Sequence, residues 1–154
     1  MKRLVIIGAT SGIGLEVAKC YLQKGWKLGL AGRRTAALNE IRQRSPELIE
    51  IQTLDVTHDD APARLNDLIH RLGGMDVFLL SSGIGFQNPA LDPTIELNTA
   101  RTNVEGFTRM VDAAFHYCAK WWGALSRNQF DSRHERPRCG TRLFSNQTLS
   151  EHLH

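Results

Sequence analysis

Residues 4–14 read LVIIGATSGIG. Four apolar residues, Leu4, Val5, Ile6 and Ile7, run straight into Gly8, Gly12 and Gly14, after which apolar residues recur at helical spacing. An unbroken apolar run of this length predicts a strand buried on both faces. A buried strand that turns through glycines into a helix start is a phosphate cradle. The glycines let backbone approach the phosphates, and the helix end offers unpaired N–H donors and a positive dipole end. The spacing here is G-x-x-x-G-x-G. It is neither the usual G-x-G-x-x-G nor a P-loop, since no Lys-Ser/Thr pair follows.

The first strand covers about residues 3–8. A helix is predicted over 12–24, with Ile13, Val17, Ala18 and Tyr21 at helical spacing and Gly25 ending it. A second strand at 27–31 leads to Gly32-Arg33-Arg34, and Thr35 is a good N-cap for a helix over 36–44. Pro46 breaks that pattern before a third strand at 48–54, closed by Asp55-Val56-Thr57. A third helix over 59–72 stops at Gly73-Gly74. The fourth strand, 75–80, is nearly all apolar and ends in Ser81-Ser82-Gly83. A polar loop with Pro89 and Pro93 then precedes one long helix over 94–120. Strands alternating with helices predict an α/β fold, a parallel sheet with right-handed crossovers. Ligands of such sheets sit beyond the C-terminal strand ends, where Gly8, Arg33, Asp55 and Ser81 all fall.

The 154 residues suffice for one domain with a real core. No run of about 18 apolar residues occurs, so no membrane span is expected. The first strand begins at once and leaves no room for a signal peptide. Cys20, Cys118 and Cys139 are odd in number and share no C-x-x-C spacing, which predicts free thiols in a reducing cytoplasm. Residues 1–118 carry 13 Lys+Arg and 13 Asp+Glu, so the net charge of +3 lies wholly in residues 119–154. Charge confined to a tail does not indicate a nucleic-acid-binding face. His152 and His154 are read as exposed terminal residues and not as metal ligands.

The Gly8, Gly12, Gly14 spacing resembles that of the short-chain dehydrogenase/reductase family, which implies a Rossmann-like doubly wound parallel sheet with strand order 3-2-1-4. The resemblance implies a cofactor turn formed by Gly8, Thr10, Ser11, Gly12, Ile13 and Gly14. In dinucleotide folds an acidic residue after the second strand binds the ribose 2′-OH, and a basic one accommodates a 2′-phosphate. No Asp or Glu occurs between Lys27 and Asn39, and Arg33 and Arg34 stand at that point. NADP(H) is therefore expected over NAD(H); the other reading of the pair is a solvated charge cluster at a helix start. Asp55-Val56 matches the family's Asp-aliphatic pair that flanks the adenine, although an Asp at a strand end also reads as a turn residue. Ser81, Ser82 and Gly83 align with the family stretch ending Asn-Asn-Ala-Gly, with Leu80 and Ser81 where the asparagines stand. Asn103-Val104-Glu105-Gly106 resembles Asn-Val-x-Gly, whose Asn belongs to a catalytic tetrad and holds a water in the proton relay. The other reading of Asn103 is a structural asparagine at a helix kink near Gly106. The family further implies a carbonyl or alcohol substrate and a homo-oligomer, with helix 94–120 as a contact.

The family pattern stops near residue 120. The tetrad needs a Ser and a Tyr-x-x-x-Lys, in which the Tyr hydroxyl is the general acid. The tyrosines here are Tyr21 and Tyr117, neither has Lys four residues on, and Lys120 is the last lysine. Residues 1–118 hold 15 Val plus Ile, and residues 119–154 hold none. The expected organisation is thus a dinucleotide-binding unit over 1–120, truncated before the later strands, and an irregular basic tail over 121–154. Its Arg133, Arg136, Arg138 and Arg142 read as a tail with no phosphate site. Codons for Lys120 to Thr148, read one base forward, permit an apolar strand ending in Ser-Ser followed by Tyr-Ser-Ala-Thr-Lys. The second Ser falls at the codon of Phe130, the Tyr at Leu143 and the Lys at Gln147, with Ser 27 residues after Asn103. A slipped reading frame in an oxidoreductase gene accounts for this; a cofactor-binding protein without turnover and an unstable product are the competing readings. In the last, the fourth strand is left as an exposed apolar edge.

Overall fold

The structure, a computed structural model, describes residues 1–128 and 144–145, with side-chain surroundings through residue 120. Its elements are β1 (Arg3–Ile7), α1 (Gly12–Gln23), β2 (Lys27–Gly32), α2 (Thr35–Gln43), β3 (Ile49–Thr53), α3 (Ala61–Leu72), β4 (Val77–Leu80), α4 (Pro93–Ala100), a π-helical turn (Arg101–Gly106), α5 (Phe107–Asn128) and β5 (Phe144–Ser145). All pairings are parallel and the sheet order is β3-β2-β1-β4-β5. The expected order 3-2-1-4 is thus present, with one further strand beyond it.

The apolar run of β1 is divided between two cores by the two-residue period of a strand. Leu4 and Ile6 join Ala18 of α1 and Leu38 of α2 on one face. Val5 and Ile7 join Leu65, Leu68 and Leu72 of α3 and Met110 and Ala114 of α5 on the other. The central strand is therefore buried on both faces and the layers are helix, sheet, helix. Gly25, at φ +75°, and Gly73, at φ +88°, end α1 and α3 in the left-handed conformation that glycine adopts without strain.

Several local expectations are corrected. The helix expected over 94–120 begins at Pro93, capped by the Asp92 carboxylate, which accepts from the Thr94 N–H at 2.8 Å. It is interrupted by the π-helical turn, in which two long-range contacts described below hold the chain, and it continues to Asn128. The N-cap position of α2 belongs to Arg34; Thr35 is its first helical residue, and its hydroxyl lies 2.7 Å from that of Thr53. The third helix starts at Ala61 behind Asp60. The end of the fourth strand is not left as an open edge: β5 pairs with it there, Phe144 opposite Leu79 and Ser145 opposite Leu80. The segment 121–154 thus contains the last turns of α5 and a two-residue strand. The codon positions of Phe130, Leu143 and Gln147, the tail arginines, Cys139, His152 and His154 lie outside the described residues. Cys20 is exposed and Cys118 buried. Among the described residues no helix is long and apolar enough to cross a membrane, and no cluster of metal-ligating side chains occurs.

Phe78 is 1% exposed in the centre of β4. Phe78→Ala is expected to cost about 3–5 kcal/mol of stability, read as a lowered midpoint in urea unfolding.

Candidate functional site

The glycine turn is shaped by approaches that no side chain permits. Gly8 has φ +86°, and a Cβ there would lie 2.7 Å from the Ser82 nitrogen and 2.8 Å from the Ser81 carbonyl carbon. Gly14, in the first turn of α1, sits on Gly8: its Cβ would lie 2.1 Å from the Gly8 carbonyl oxygen. Gly12, at φ +56°, faces open space. The Gly8 and Ala9 N–H groups both donate to the Ala31 carbonyl, at 2.9 and 3.2 Å, which ties the turn to the end of β2. Ser11 is the N-cap of α1, but its side chain does not cap it, and the first turn contains no acidic residue. That helix end keeps its positive character free of a local counter-charge.

A cleft of about 430 Å³ opens over these strand ends. Gly8, Thr10 and Ser11 line it from the turn after β1, Arg33 and Arg34 from the end of β2, Asp55 and Val56 from the end of β3, and Ser81, Ser82 and Gly83 from the end of β4. Four of the residues singled out in the sequence stand outside its lining. Gly14 is consumed in packing on Gly8, Gly12 and Ile13 form the start of α1, and Asn103 lies behind the wall. Five lining residues escaped the sequence reading: Ile7, Gly32, Leu54, Ile84 and Thr102. Each is a direct chain neighbour of a residue that reading named, and that adjacency was the available signal.

Arg34 is fastened to the turn after β1 within the cleft lining, its Nε donating to the Thr10 hydroxyl at 3.2 Å. Asp55 turns the chain after β3: one carboxylate oxygen accepts from the Thr57 N–H at 2.9 Å and from the Thr57 hydroxyl at 2.7 Å. The other lies 3.6 Å from His58 Nε2. Burial by itself would raise the Asp55 carboxyl; the two bonds from Thr57, helped by the charges of His58 and Arg33, outweigh it and hold the group below the usual carboxylate range.

Asn103 acts through its amide. Its Oδ1 accepts from the Ile84 N–H at 2.9 Å and its Nδ2 donates to the Ile84 carbonyl at 2.7 Å. The π-helical turn is thereby fixed to the loop after β4. Three residues on, a Cβ on Gly106 would lie 2.5 Å from Val56 Cγ2, so only glycine lets the helix meet the loop after β3.

The family model described as short chain dehydrogenase matches residues 2–125. An uncharacterized oxidoreductase of Staphylococcus epidermidis is 30% identical over 122 residues, which cover 77% of this chain and 53% of that protein. Among solved structures, the 3-ketoacyl-(acyl-carrier-protein) reductase of Brucella melitensis, complexed with NADH, superposes with a TM-score of 0.72 at 24% identity, over 81% of this chain and 52% of that one. The alcohol dehydrogenase of the archaeon Thermococcus sibiricus, complexed with 5-hydroxy-NADP, gives a TM-score of 0.69 at 25% identity, over 78% and 54%. The chain spans about half the length of each of these proteins.

Because the folded Asp55 carboxyl titrates below its unfolded counterpart, its stabilising effect is complete at neutral pH and is lost as pH falls below about 4. Asp55→Ala should therefore lower stability by about 1–2 kcal/mol at pH 7. The difference from wild type should shrink toward pH 2, as read by denaturant unfolding across that range.

Proposed function

The chain belongs to the short-chain dehydrogenase family, and from that premise we propose that its cleft binds NADP(H) as part of an oxidoreductase acting on a small carbonyl compound or alcohol. The observation that carries this reading is the convergence on one cleft of the glycine turn and two arginines, with no acidic residue at the end of β2. The residues fit the group. Gly8 and Gly14 hold the turn in a form that any Cβ would destroy, and Gly12 leaves open space beside an uncapped helix end. Thr10, Ser11, Gly12 and Ile13 would hold the pyrophosphate there. Asp55 and Val56 would flank the adenine. Ser81, Ser82 and Gly83 would line the path toward the nicotinamide.

Arg33 and Arg34 would receive the 2′-phosphate, since a guanidinium pairs with phosphate through charge-assisted bonds. The first turn of α2 contains no acidic residue to oppose an anion. NAD(H) is the alternative cofactor. The relatives' complexes include both NADH and an NADP derivative, so cofactor choice is argued from Arg33 and Arg34 alone.

The bound nicotinamide supplies or accepts the hydride. Of the family's tetrad Asn103 is present, and in this reading it orders the loop at Ile84 beside the cleft. The proton donor that a Tyr-x-x-x-Lys provides does not occur in the sequence as written. The chain is accordingly read as binding cofactor without turnover. A reading-frame slip near Lys120 in an oxidoreductase gene explains the missing motif, and a non-catalytic NADP(H)-binding protein is the second reading that this gap favours. Leu97, Val104 and Phe115 are exposed along the helices after Pro93 and support a homo-oligomer contact there. A cytoplasmic location agrees with the exposed free thiol of Cys20.

Titrating the protein with NADPH and NADH by fluorescence should show NADPH binding at least tenfold more tightly, and the Arg33→Ala, Arg34→Ala double variant should lose that preference. Equal or tighter binding of NADH by the wild type overturns the NADP(H) reading. A nucleotide sequence whose next frame past Lys120 lacks Tyr-x-x-x-Lys overturns the frame slip.

A further inference from the structure

We infer that Arg109 of α5 is a positioning residue for the base-binding part of the cleft, acting through the backbone of Val56. The inference rests on the cofactor reading given above. The cleft lining is of two chemical kinds. The glycine turn, the α1 terminus and Arg34 make a polar part suited to phosphate. Leu54, Val56 and Ile84 give the cleft apolar walls elsewhere, and a flat heteroaromatic ring is the nucleotide component that gains from such walls.

Val56 is held from behind by α5. Its carbonyl oxygen accepts from Arg109 Nη1 at 2.7 Å, across 53 residues of sequence. A guanidinium donor at that distance makes a strong, charge-assisted bond. Val56 is only 6% exposed, and the Arg109 side chain 22%. A carbonyl this sheltered costs free energy if its partner is removed. The other arm of the fork, Nη2, lies 3.4 Å from Asp59 Oδ1, but the Asp59 side chain is fully exposed and that pair contributes little. The bond to Val56 is therefore the contact that matters.

Gly106, one turn earlier, completes the grip. The helix backbone presses on the Val56 side chain at a separation that admits no Cβ, while Arg109 fixes the Val56 peptide. The loop is tied on its other flank by Leu54, whose N–H donates to the Gly32 carbonyl at 2.9 Å, and by the Asp55–Thr57 bonds. From the α5 side, Arg109 and Gly106 fix where Val56 stands along the wall. Removing the Arg109 donor leaves the 56–57 peptide held on its N–H side by Asp55 but not on its carbonyl side, and loosens the apolar wall against a bound base. The phosphate part, built on α1 and β2, is untouched.

The test compares the full-length wild type with Arg109→Met, which keeps an apolar stem of similar length, and with Arg109→Lys, which restores one donor. Affinities are measured by calorimetry for 2′,5′-ADP, which carries the base, and for reduced nicotinamide mononucleotide, which lacks it. Arg109→Met should weaken 2′,5′-ADP about tenfold and change the mononucleotide by less than twofold, and Arg109→Lys should recover part of the loss. Amide exchange at Thr57 and His58, measured without ligand, should quicken in Arg109→Met and not at Gly12 or Ile13. Unchanged 2′,5′-ADP affinity, an equal loss for both ligands, or unchanged exchange at Thr57 overturns the role of Arg109. Failure of the wild type to bind either ligand overturns the cofactor reading, and the exchange experiment then judges the grip on Val56 by itself.

Discussion

The close approach of Gly8, Gly14 and the Ser81–Ser82 backbone is the constraint on which the rest of the site depends. Three elements meet there: the end of β1, the first turn of α1 and the loop after β4. The Gly14 position admits nothing between α1 and the Gly8 carbonyl, where a Cβ would stand at 2.1 Å. Gly8 admits nothing between β1 and the Ser82 nitrogen. Without these approaches α1 would sit farther from the sheet, and its N-terminus would not open onto the cleft. Glycine is required at these points for want of space as much as for backbone freedom, since Gly14 shows no left-handed φ.

A second set of contacts fixes the far wall. The π-helical turn and the start of α5 lie behind the cleft and hold two of its loops at once. Asn103 pairs with both backbone groups of Ile84, and Gly106 and Arg109 hold Val56. Loops at strand ends have few contacts of their own, and rigid elements behind them set their positions. The segment from 101 to 109 therefore shapes a site that, apart from Thr102, it does not line. Departure from α-helical geometry falls in the same segment, in keeping with the association of π-helical turns with functional sites.

Much of this molecule was legible in its local patterns. The apolar runs of β1 and β4, the helical spacing between them and the glycine punctuation at Gly25 and Gly73 identify the elements and their order, because strand and helix periods differ and chain reversals need special residues. Ten of the residues named from the sequence line one cleft, since strand ends in a parallel sheet converge whatever the side chains are. The reading failed where tertiary contacts override local preference. An uninterrupted helix over 94–120 is what local spacing suggests; the break at 101–106 belongs to contacts with Ile84 and Val56, 19 and more than 40 residues away. Thr35 has the chemistry of a cap, yet its hydroxyl meets Thr53 on the neighbouring strand.

The sequence by itself thus determined the layer architecture and pointed to the family, and through the family to the strand order, because the layers follow from periodicity and the family from the glycine spacing of a tight strand-to-helix turn. Tertiary structure alone decided the roles within the site. Whether a glycine meets solvent, as Gly12 does, or another backbone, as Gly14 does, depends on what the fold brings opposite it. Whether an arginine lines the cleft, as Arg34 does, or holds the carbonyl of a lining residue, as Arg109 does, depends on contacts 24 and 53 residues away along the chain. Pairings of that range are set by the packing of α5 and the strand ends, and no local pattern encodes them.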